Sequence, residues 1–270
     1  MLGVSRSGYF TWLRNGRAAK QKEADETILK AIRKIHADSR GTYGSPRILC
    51  ELKDLGIKCG KTRLERLMRE NGIRAKTKKK FKVTTDSKHS LPVCENIVAR
   101  NFSPTAANQL WLGDITYVWT RQGWLYLAAV MDVFSRKIVG WCMRDRMSKN
   151  LVLDALEMAY RRQSPGRGLV FHSDRGSQYA SHEYQKRLWR YGMIGSMSRK
   201  GNCWDNAPME SFFHTLKTEH VFFEEFHSRT HARESIFEWI EVFYNRQRRH
   251  SSLGYLSPEC YERGVMMKCA

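Results

Sequence analysis

Three consecutive strand-like segments, joined by turns too short to hold a helix, constrain the fold of this chain most. They span residues 109–118, 124–133 and 138–143, and each is rich in aromatic and aliphatic side chains. Gly123 lies in the first connection, and residues 134–137 form the second. Connections this short join antiparallel neighbours, so the segments predict a three-stranded meander.

Helical and strand-like patterns alternate after the meander. Helical periodicity covers residues 148–161 and 182–191, an apolar run leads to Asp174, and a short apolar segment spans 193–197. A further helix is expected to begin after Asn206. Strands alternating with helices predict a mixed sheet with helices around it. The predicted fold class is therefore α/β, and the order βββαβαβα is similar to that of the ribonuclease H fold.

Three carboxylates occupy related positions in this pattern. Asp114 lies within the first strand-like segment, Asp174 follows an apolar run, and Glu210 lies at the start of a helix. Cleavage and transfer of a phosphodiester need an activated attacking oxygen and a stabilised leaving oxygen, which two divalent ions about 4 Å apart provide. Mg²⁺ favours oxygen ligands and keeps several waters, so a few carboxylates suffice. One aspartate alone would more simply be a turn or capping residue, whereas three together favour a catalytic metal site.

The charge balance indicates a polyanionic partner. The 270 residues include 47 Lys and Arg against 27 Asp and Glu, a net charge of +20. Nucleic acid is the partner that such an excess favours, although a basic enzyme without one is the alternative. Lys217 follows Glu210 by seven residues, so both are expected on one helical face. Its ammonium group is therefore predicted to bind a DNA phosphate.

Residues 24–75 predict a small helical unit. Ser45 and Pro46 suit the start of its second helix, and residues 61–70 form the third. Two helices joined by a tight turn with a glycine such as Gly56 fit a helix-turn-helix. Its last helix is expected to present three arginines to DNA: Arg63, Arg66 and Arg69. A helical bundle with a solvated basic face is the alternative.

Two further basic segments are candidate phosphate contacts: residues 76–82 and the part of the tail that holds Arg248 and Arg249. Residues 76–82 carry nearly continuous positive charge, which suits a flexible linker, a phosphate-binding segment, or both. The predicted DNA-binding residues of these segments are Lys78, Lys79, Lys80, Arg248 and Arg249. The predicted regions are a helix-turn-helix-like DNA-binding region at 1–80, a basic linker at 81–100, a catalytic core at 101–225 and a basic helical tail at 226–270.

The cysteines and the apolar runs favour a cytoplasmic protein. The chain has seven cysteines without a Cys-x-x-Cys pair, which argues against a secreted disulfide framework. The longest clean apolar run, residues 125–131, is far shorter than a membrane span needs, so no membrane partner is expected.

Several other polar residues have two interpretations each. Asp132 could be a fourth metal ligand, but capping the turn through Ser135 is favoured. His172 could contact DNA or a metal-bound water, and a positioning role is favoured. Asn206 could hydrogen-bond near the metal, although it or Asp205 could simply cap the following helix.

Two aromatic or histidine features are also ambiguous. Trp204 could be a core residue or a base-stacking platform, and the core is favoured. His227 and His231 have the spacing of zinc ligands, but no cysteine pair accompanies them, which argues against a zinc site.

The chain resembles the transposases of bacterial insertion sequences, in particular the second-reading-frame proteins of the IS-three group, relatives of retroviral integrases. The resemblance rests on three motifs: Trp111-x-x-Asp114-Ile115-Thr116-Tyr117, His172-Ser173-Asp174-Arg175-Gly176-x-Gln178-Tyr179 and Asp205-Asn206-Ala207-x-Met209-Glu210-Ser211-Phe212-Phe213. Thirty-five residues lie between Asp174 and Glu210, which is the spacing of this DD-35-E family, and Lys217 also matches. Residues 40–48 and 244–258 resemble its accessory helix-turn-helix and its C-terminal tail.

The resemblance implies a metal-dependent enzyme that acts on double-stranded DNA, both element ends and target. It implies cleavage at the 3′ end of the element, attack of that hydroxyl on another phosphodiester, and two Mg²⁺ or Mn²⁺ ions on Asp114, Asp174 and Glu210. It also implies an upstream-frame subunit or fusion partner and a homo-oligomer on DNA. The alternatives are a ribonuclease H-like nuclease that only hydrolyses, and an inactive DNA-binding regulator.

Overall fold

The computed structural model describes residues 5–14, 17–76, 93–199 and 203–269. The predicted phosphate contacts Lys78, Lys79 and Lys80 lie outside the described residues. The chain forms two compact units, Met1–Thr77 and Lys78–Ala270.

The first unit is helical. Its helices are α1 Arg6–Arg14, α2 Arg17–Asp38, α3 Ser45–Asp54 and α4 Lys61–Glu70. Pro46 lies in the first turn of α3, and Asn71 and Gly72 follow α4, as the sequence predicts. The apolar side chains at helical spacing are buried and form its core: Ile28, Ile32, Ile35, Ile48, Leu52, Leu64, Leu67 and Met68.

The second unit contains five strands and six helices in its described part. In chain order these are β1 Leu110–Thr120, β2 Gly123–Asp132, β3 Ile138–Arg144, α5 Lys149–Gln163, β4 Val170–Ser173, α6 Ser177–Ala180, α7 His182–Arg190, β5 Ile194–Met197, α8 Ala207–Glu219, α9 Arg229–Glu238 and α10 Pro258–Cys269. A π-helical segment, Trp239–Gln247, continues α9. The predicted order of strands and helices and the mixed α/β fold are confirmed.

The five strands form one sheet in the order β3-β2-β1-β4-β5. The pairs β1–β2 and β2–β3 are antiparallel, and β1–β4 and β4–β5 are parallel. Helix α5 packs directly on β3, because a Cβ atom at Gly140 would lie 2.3 Å from the Ala155 carbonyl oxygen. The core on this face includes Ala128 and Val130.

Asp114 lies on the opposite face of the sheet. It is the cross-strand partner of Ala129, and side chains alternate between the two faces of a strand. Because Ala128 faces α5, Ala129 and Asp114 face away from it. Helix α8 packs against β1. The fold therefore brings the helix that carries Glu210 towards the strand that carries Asp114.

The C-terminal tail is mostly helical. The sequence predicts a helix at 231–245 and an irregular segment at 253–258; the helical path runs from Arg229 to Gln247, and α10 begins at Pro258. The Asn245 side chain explains why the path stays close to the sheet. Its amide accepts a hydrogen bond from the Ile138 N–H at 2.9 Å and donates one to the Ile138 carbonyl at 3.0 Å. No helix in the described part of the chain is long and apolar enough to cross a membrane.

Candidate active site

Asp114 and Asp174 are neighbours where the parallel pairing of β1 with β4 ends, Asp114 within β1 and Asp174 just after β4. The last paired position between β1 and β4 joins Gly113 to Ser173. Each aspartate is the next residue of its strand, and neighbouring strands lie roughly 4.8 Å apart. The parallel register therefore places the two carboxylates side by side, where the pairing of β1 with β4 ends.

Two glycines leave room for these carboxylates and their supports. A Cβ atom at Gly113 would lie 2.6 Å from Cζ of Phe171, so only glycine lets β1 pass this buried ring. The Gly176 N–H donates to Oδ1 of Asp174 at 2.9 Å, and a Cβ atom at Gly176 would lie 3.0 Å from that oxygen. The backbone N–H of Ile115 donates to Asp114 at 2.7 Å. Backbone donors therefore hold both carboxylates.

Asn206 connects the start of α8 to β1. It is the residue before α8, but its side chain makes no capping hydrogen bond, so the predicted cap is wrong. Its Nδ2 group instead donates to the Gly113 carbonyl oxygen at 3.3 Å. Its Oδ1 atom is buried without a hydrogen-bond partner. Glu210 follows one turn later on the same helix, so this bond ties it to Asp114.

The charges of the three carboxylates interact with one another. Burial raises the pKa of Asp114 well above its usual value, and the charges of Asp174 and Glu210 raise it further. Burial also raises the pKa of Glu210. Carboxylates that repel one another in a buried place favour a cation between them, because a cation relieves both the repulsion and the desolvation.

Lys217 supplies a positive charge next to this group. Its side chain is only 5% exposed, and its Nζ atom lies 4.8 Å from the centre of the Tyr117 ring. Burial lowers the pKa of Lys217 to about 8, and the Asp114 charge opposes that shift. Lys217 therefore lies where α8 packs against β1, and its contact with a DNA phosphate stays a prediction. Its proximity to the carboxylates, expected from the spacing, agrees with the electrostatics.

Asp205 anchors the segment before α8. It is fully buried, and its carboxylate binds Arg199 at 2.8 Å and Arg100 at 3.0 Å. Its Oδ2 atom also accepts from the Asn96 side chain at 3.0 Å. Hydrogen bonds from Arg199 hold the pKa of Asp205 well below its usual range. Asp205 is thus a structural anion two positions from α8, and the prediction that it caps that helix is wrong.

Asp132 and His172 both make hydrogen bonds within the fold. The Asp132 carboxylate accepts hydrogen bonds from the Phe134 N–H at 2.9 Å and the Asn108 N–H at 2.7 Å. It therefore caps the turn, as favoured, but through Phe134. His172 is buried between the hydroxyl groups of Ser196 and Ser198, at 2.9 and 3.2 Å. Burial lowers the pKa of His172 to about 4, which favours the neutral ring at pH 7.

The structure also shows the positions of Trp204 and of the pair His227 and His231. Trp204 is 67% exposed, so the favoured placement in the core is wrong. The rings of His227 and His231 stack with centroids 6.1 Å apart. Within the described ranges, no group of three or more His, Cys, Asp or Glu side chains is placed to hold a metal ion.

The predicted DNA-binding arginines have different surroundings. Arg63 and Arg66 both bind the Asp25 carboxylate, at 2.5 and 2.6 Å, whereas Arg69 is exposed. Arg63 and Arg66 therefore brace α4 against α2 with side chains that are 28% and 39% exposed, and their contact with DNA stays a prediction.

The two tail arginines also turn inward. Arg248 is buried and binds Glu219 at 2.6 Å, and Arg249 donates to the Tyr255 carbonyl at 3.0 Å. The tail therefore folds back over Arg248, and contact of the two arginines with DNA stays a prediction. The sequence alone also missed the contacts of Asn206 with Gly113 and of Tyr117 with Lys217. The only available signal was that each residue lies within a few positions of a candidate carboxylate.

The chemistry of the donor set fits magnesium or manganese. Asp114, Asp174, Glu210 and the orphaned oxygen of Asn206 are hard oxygen donors, the type that Mg²⁺ prefers. Mg²⁺ typically takes one or two carboxylates from the protein and completes its ligands with water and substrate phosphate. The adjacent pair Asp114 and Asp174 suits that demand without a closed cage of three protein ligands.

Comparison with known families places both units. The integrase core domain family matches residues 104–203, and a second integrase core domain family matches residues 191–258. The HTH-like domain family matches residues 23–81.

Two curated relatives cover nearly the whole chain. The insertion element IS600 31 kDa protein of Shigella sonnei is 49% identical over 261 residues, which are 97% of this chain and 96% of the relative. The transposase InsF for insertion sequence IS3A of Escherichia coli K12 is 43% identical over 267 residues, which are 97% of this chain and 91% of the relative.

Among solved structures, a chain of the simian T-cell lymphotropic virus intasome in complex with PP2A regulatory subunit B56 gamma is similar. The TM-score is 0.50 at 14% identity, and the match covers 86% of this chain and 74% of that chain. At this identity the likeness concerns the fold alone.

Proposed function

The chain belongs to the transposases of the IS3 family, and from that premise we propose that Asp114, Asp174 and Glu210 carry out its DNA strand cleavage and strand transfer. The observation that carries the proposal is the parallel register of β1 and β4, which ends at Gly113 and Ser173. That register sets the two aspartates side by side. Helix α8 brings Glu210 close enough for its charge to raise the pKa of Asp114. These are the carboxylates that phosphoryl-transfer chemistry requires.

We propose that Asp114, Asp174 and Glu210 hold one or two Mg²⁺ or Mn²⁺ ions. Bound there, such ions would supply activation of the attacking oxygen and stabilisation of the leaving oxygen in a phosphodiester displacement. The chain's own groups orient the carboxylates: the N–H of Ile115 holds Asp114, and the N–H of Gly176 holds Asp174. Lys217 adds a positive charge that favours the ionised carboxylates.

The substrate of this family is DNA, and the charge of the chain suits it. A net charge of +20 attracts the phosphate backbone independently of sequence. Arg69 and the lysines at 78–80 remain proposed phosphate contacts, as does Lys217 through a rearranged side chain. An upstream-frame subunit and a homo-oligomer on DNA also remain proposals. Sedimentation of the chain with a duplex element end tests the oligomer.

A plasmid-joining assay with Mg²⁺ tests the assignment of the carboxylates. Asp114→Asn, Asp174→Asn and Glu210→Gln should each lower strand joining by more than about a hundredfold, because metal assistance contributes several kcal/mol. DNA affinity should stay equal or rise, since each change removes a negative charge near phosphate.

The matched control is Asp154→Asn. Asp154 is also an aspartate, but it lies on α5 with a side chain 46% exposed, in an ion pair with Arg144. This control should join DNA as well as the natural protein does. Full activity in the Asp114→Asn protein would refute the assignment.

A further inference from the structure

Two tryptophans stand exposed at the tip of the β1–β2 hairpin. Trp119 is 59% exposed and Trp124 is 42% exposed, and they are direct cross-strand partners. Their rings meet edge to face with centroids 4.8 Å apart, and Tyr117 meets Trp124 in the same way at 4.9 Å. We call Tyr117, Trp119 and Trp124 the aromatic cluster. Adjacent exposed rings of this size usually mark an interaction site.

The hairpin tip under the aromatic cluster is held in place. The Thr120 hydroxyl donates to the Gly123 carbonyl at 2.7 Å and closes the turn. The Arg121 N–H donates to the Phe226 carbonyl at 3.0 Å. Nε of Arg229 donates to the Trp124 carbonyl at 3.1 Å. A surface that is already ordered loses little entropy when a flat ligand stacks on it.

The aromatic cluster lies beyond the candidate active site along β1, on the other face of the strand from Asp114. Tyr117 and Trp119 follow Asp114 on the same strand by three and five residues. At a rise of about 3.4 Å per residue, they lie roughly 10 and 17 Å along β1 from Asp114. The Lys217 ammonium over the Tyr117 ring joins the cluster to α8, which carries Glu210.

The surroundings of the aromatic cluster are basic as well as aromatic. The side chains of Arg121 and Arg229 emerge from the tip and from the segment bonded to it. Arg121 also pairs with Glu225 at 2.9 Å, and both of these side chains are largely exposed. Exposed rings beside cations suit a nucleobase and its phosphate, because bases stack on aromatic faces and phosphates bind cations.

We propose that the aromatic cluster stacks an unpaired base of the DNA strand that is cut or joined at Asp114 and Asp174. This inference rests on the proposed function, which brings DNA to that end of the sheet. A base inside a duplex has both faces covered, so only an unpaired base can stack on the cluster. A strand that keeps the stacked spacing of about 3.4 Å per nucleotide covers 10 to 17 Å in about three to five nucleotides from the reacting phosphate.

Fluorescence of 2-aminopurine tests the proposal with the full chain and without metal. The base analogue is placed singly at unpaired positions one to eight from the end of an element-end duplex. Quenching is expected at positions three to five, and it should be lost in the Trp119→Ala and Trp124→Ala proteins. Affinity for the unpaired end should fall at least about fivefold in each, while the Trp119→Phe protein keeps most of it.

Trp189→Ala is the matched control, because Trp189 lies on α7 and is 77% exposed. It should quench and bind as the natural protein does. Unchanged quenching in the Trp119→Ala protein would overturn the proposal. If that protein also loses self-association in sedimentation without DNA, a second copy of the chain is the occupant of the aromatic cluster.

Strand joining separates this proposal from the proposed function. The Trp119→Ala protein should join fully paired ends poorly and ends with five unpaired nucleotides better, whereas Asp114→Asn should join neither. If the natural protein joins no DNA yet quenches at positions three to five, the proposed function fails and the stacking stands. If the Trp119→Ala protein joins paired ends as well as the natural protein does, the stacking fails and the proposed function stands.

Discussion

The side-chain amide of Asn206 donates a hydrogen bond to the Gly113 carbonyl oxygen, the atom just before Asp114 in β1, at 3.3 Å. This bond links the two elements that carry Asp114 and Glu210. The Oδ1 atom of the same amide is buried without a partner, which typically costs about 1–3 kcal/mol. A cost of that kind is retained in folded proteins mostly where a ligand, an ion or a water uses the group.

Asn206→Ala should therefore lower activity far more than stability. The change removes one hydrogen bond, worth about 1 kcal/mol, and also removes the orphaned oxygen, so the two effects nearly cancel in the free energy of unfolding. Strand joining should fall about tenfold or more, because Glu210 loses its link to the strand of Asp114. Urea unfolding and the plasmid-joining assay measure the two quantities.

Asn245→Ala is the matched control for this prediction. Asn245 is also a buried asparagine, but its amide has partners on both sides, the N–H and the carbonyl of Ile138. Its loss should lower the free energy of unfolding by about 1–3 kcal/mol, with activity falling only as far as folding does. The opposite ranking of the two variants would show that Asn206 is structural.

Gly113→Ala should destabilise the protein through a clash with Phe171. The new Cβ atom would lie 2.6 Å from Cζ and 2.9 Å from Cε1 of that buried ring. Overpacking of this kind costs about 1–3 kcal/mol. Because the two residues are in contact, Phe171→Leu should recover part of the loss, and urea unfolding of the four proteins gives the coupling energy. Additive losses would contradict the clash.

Local patterns in the sequence were enough to predict most of the fold. The meander follows from short turns between apolar segments, and α4 follows from the glycines that flank residues 61–70. Asp114 was selected within a strand, Asp174 at the end of a strand and Glu210 near the start of a helix. The parallel register of β1 and β4 then set the first two side by side, a long-range pairing that no local pattern reveals.

Side-chain direction was the least predictable feature. A lysine on an exposed-looking helix face can lie under a neighbouring element, as Lys217 does beside Tyr117. A basic stretch is expected to extend into solvent, yet Arg248 finds Glu219, which lies 29 positions earlier in the chain. The helix at Pro258–Cys269 was missed as well, since a helix there depends on packing against the π-helical segment before it.

The Arg248–Glu219 pair should act as a structural unit. Both side chains are largely buried, at 6 and 13% exposure, and two hydrogen bonds of 2.7 and 2.6 Å join them. Removing one partner leaves a buried charge, so Glu219→Gln and Arg248→Met should each cost about 3–5 kcal/mol of unfolding free energy. The double variant should cost less than the sum of the two.

The same variants test whether Arg248 contacts DNA. Loss of one phosphate contact lowers the slope of log affinity against log salt by about one. The Arg248→Met protein should keep the slope of the natural protein, measured where both are folded. A slope lower by one unit would restore Arg248 as a phosphate contact and would require the tail to open on DNA.

Asp132 should make stability rise as the pH falls from about 6 to about 4. Burial raises the pKa of Asp132 to about 6, against about 3.9 in an unfolded chain. Between these values the folded state holds more protons than the unfolded state, so protonation favours folding in that window. The difference of about two pKa units corresponds to about 3 kcal/mol, at about 1.4 kcal/mol per unit.

Asp132→Asn removes this titration and serves as the reference. Other groups titrate in both proteins, so the informative quantity is the difference between their free energies of unfolding at each pH. From pH 7 to pH 4, the natural protein should gain about 2 kcal/mol relative to the Asp132→Asn protein, because at pH 4 the unfolded carboxyl is itself partly protonated. Most of the gain in unfolding free energy should come between pH 6 and pH 4. Urea unfolding at steps of half a pH unit measures it. Parallel curves across that range would show that the Asp132 carboxylate is not perturbed by burial, and that its bonds from Phe134 and Asn108 offset the desolvation completely.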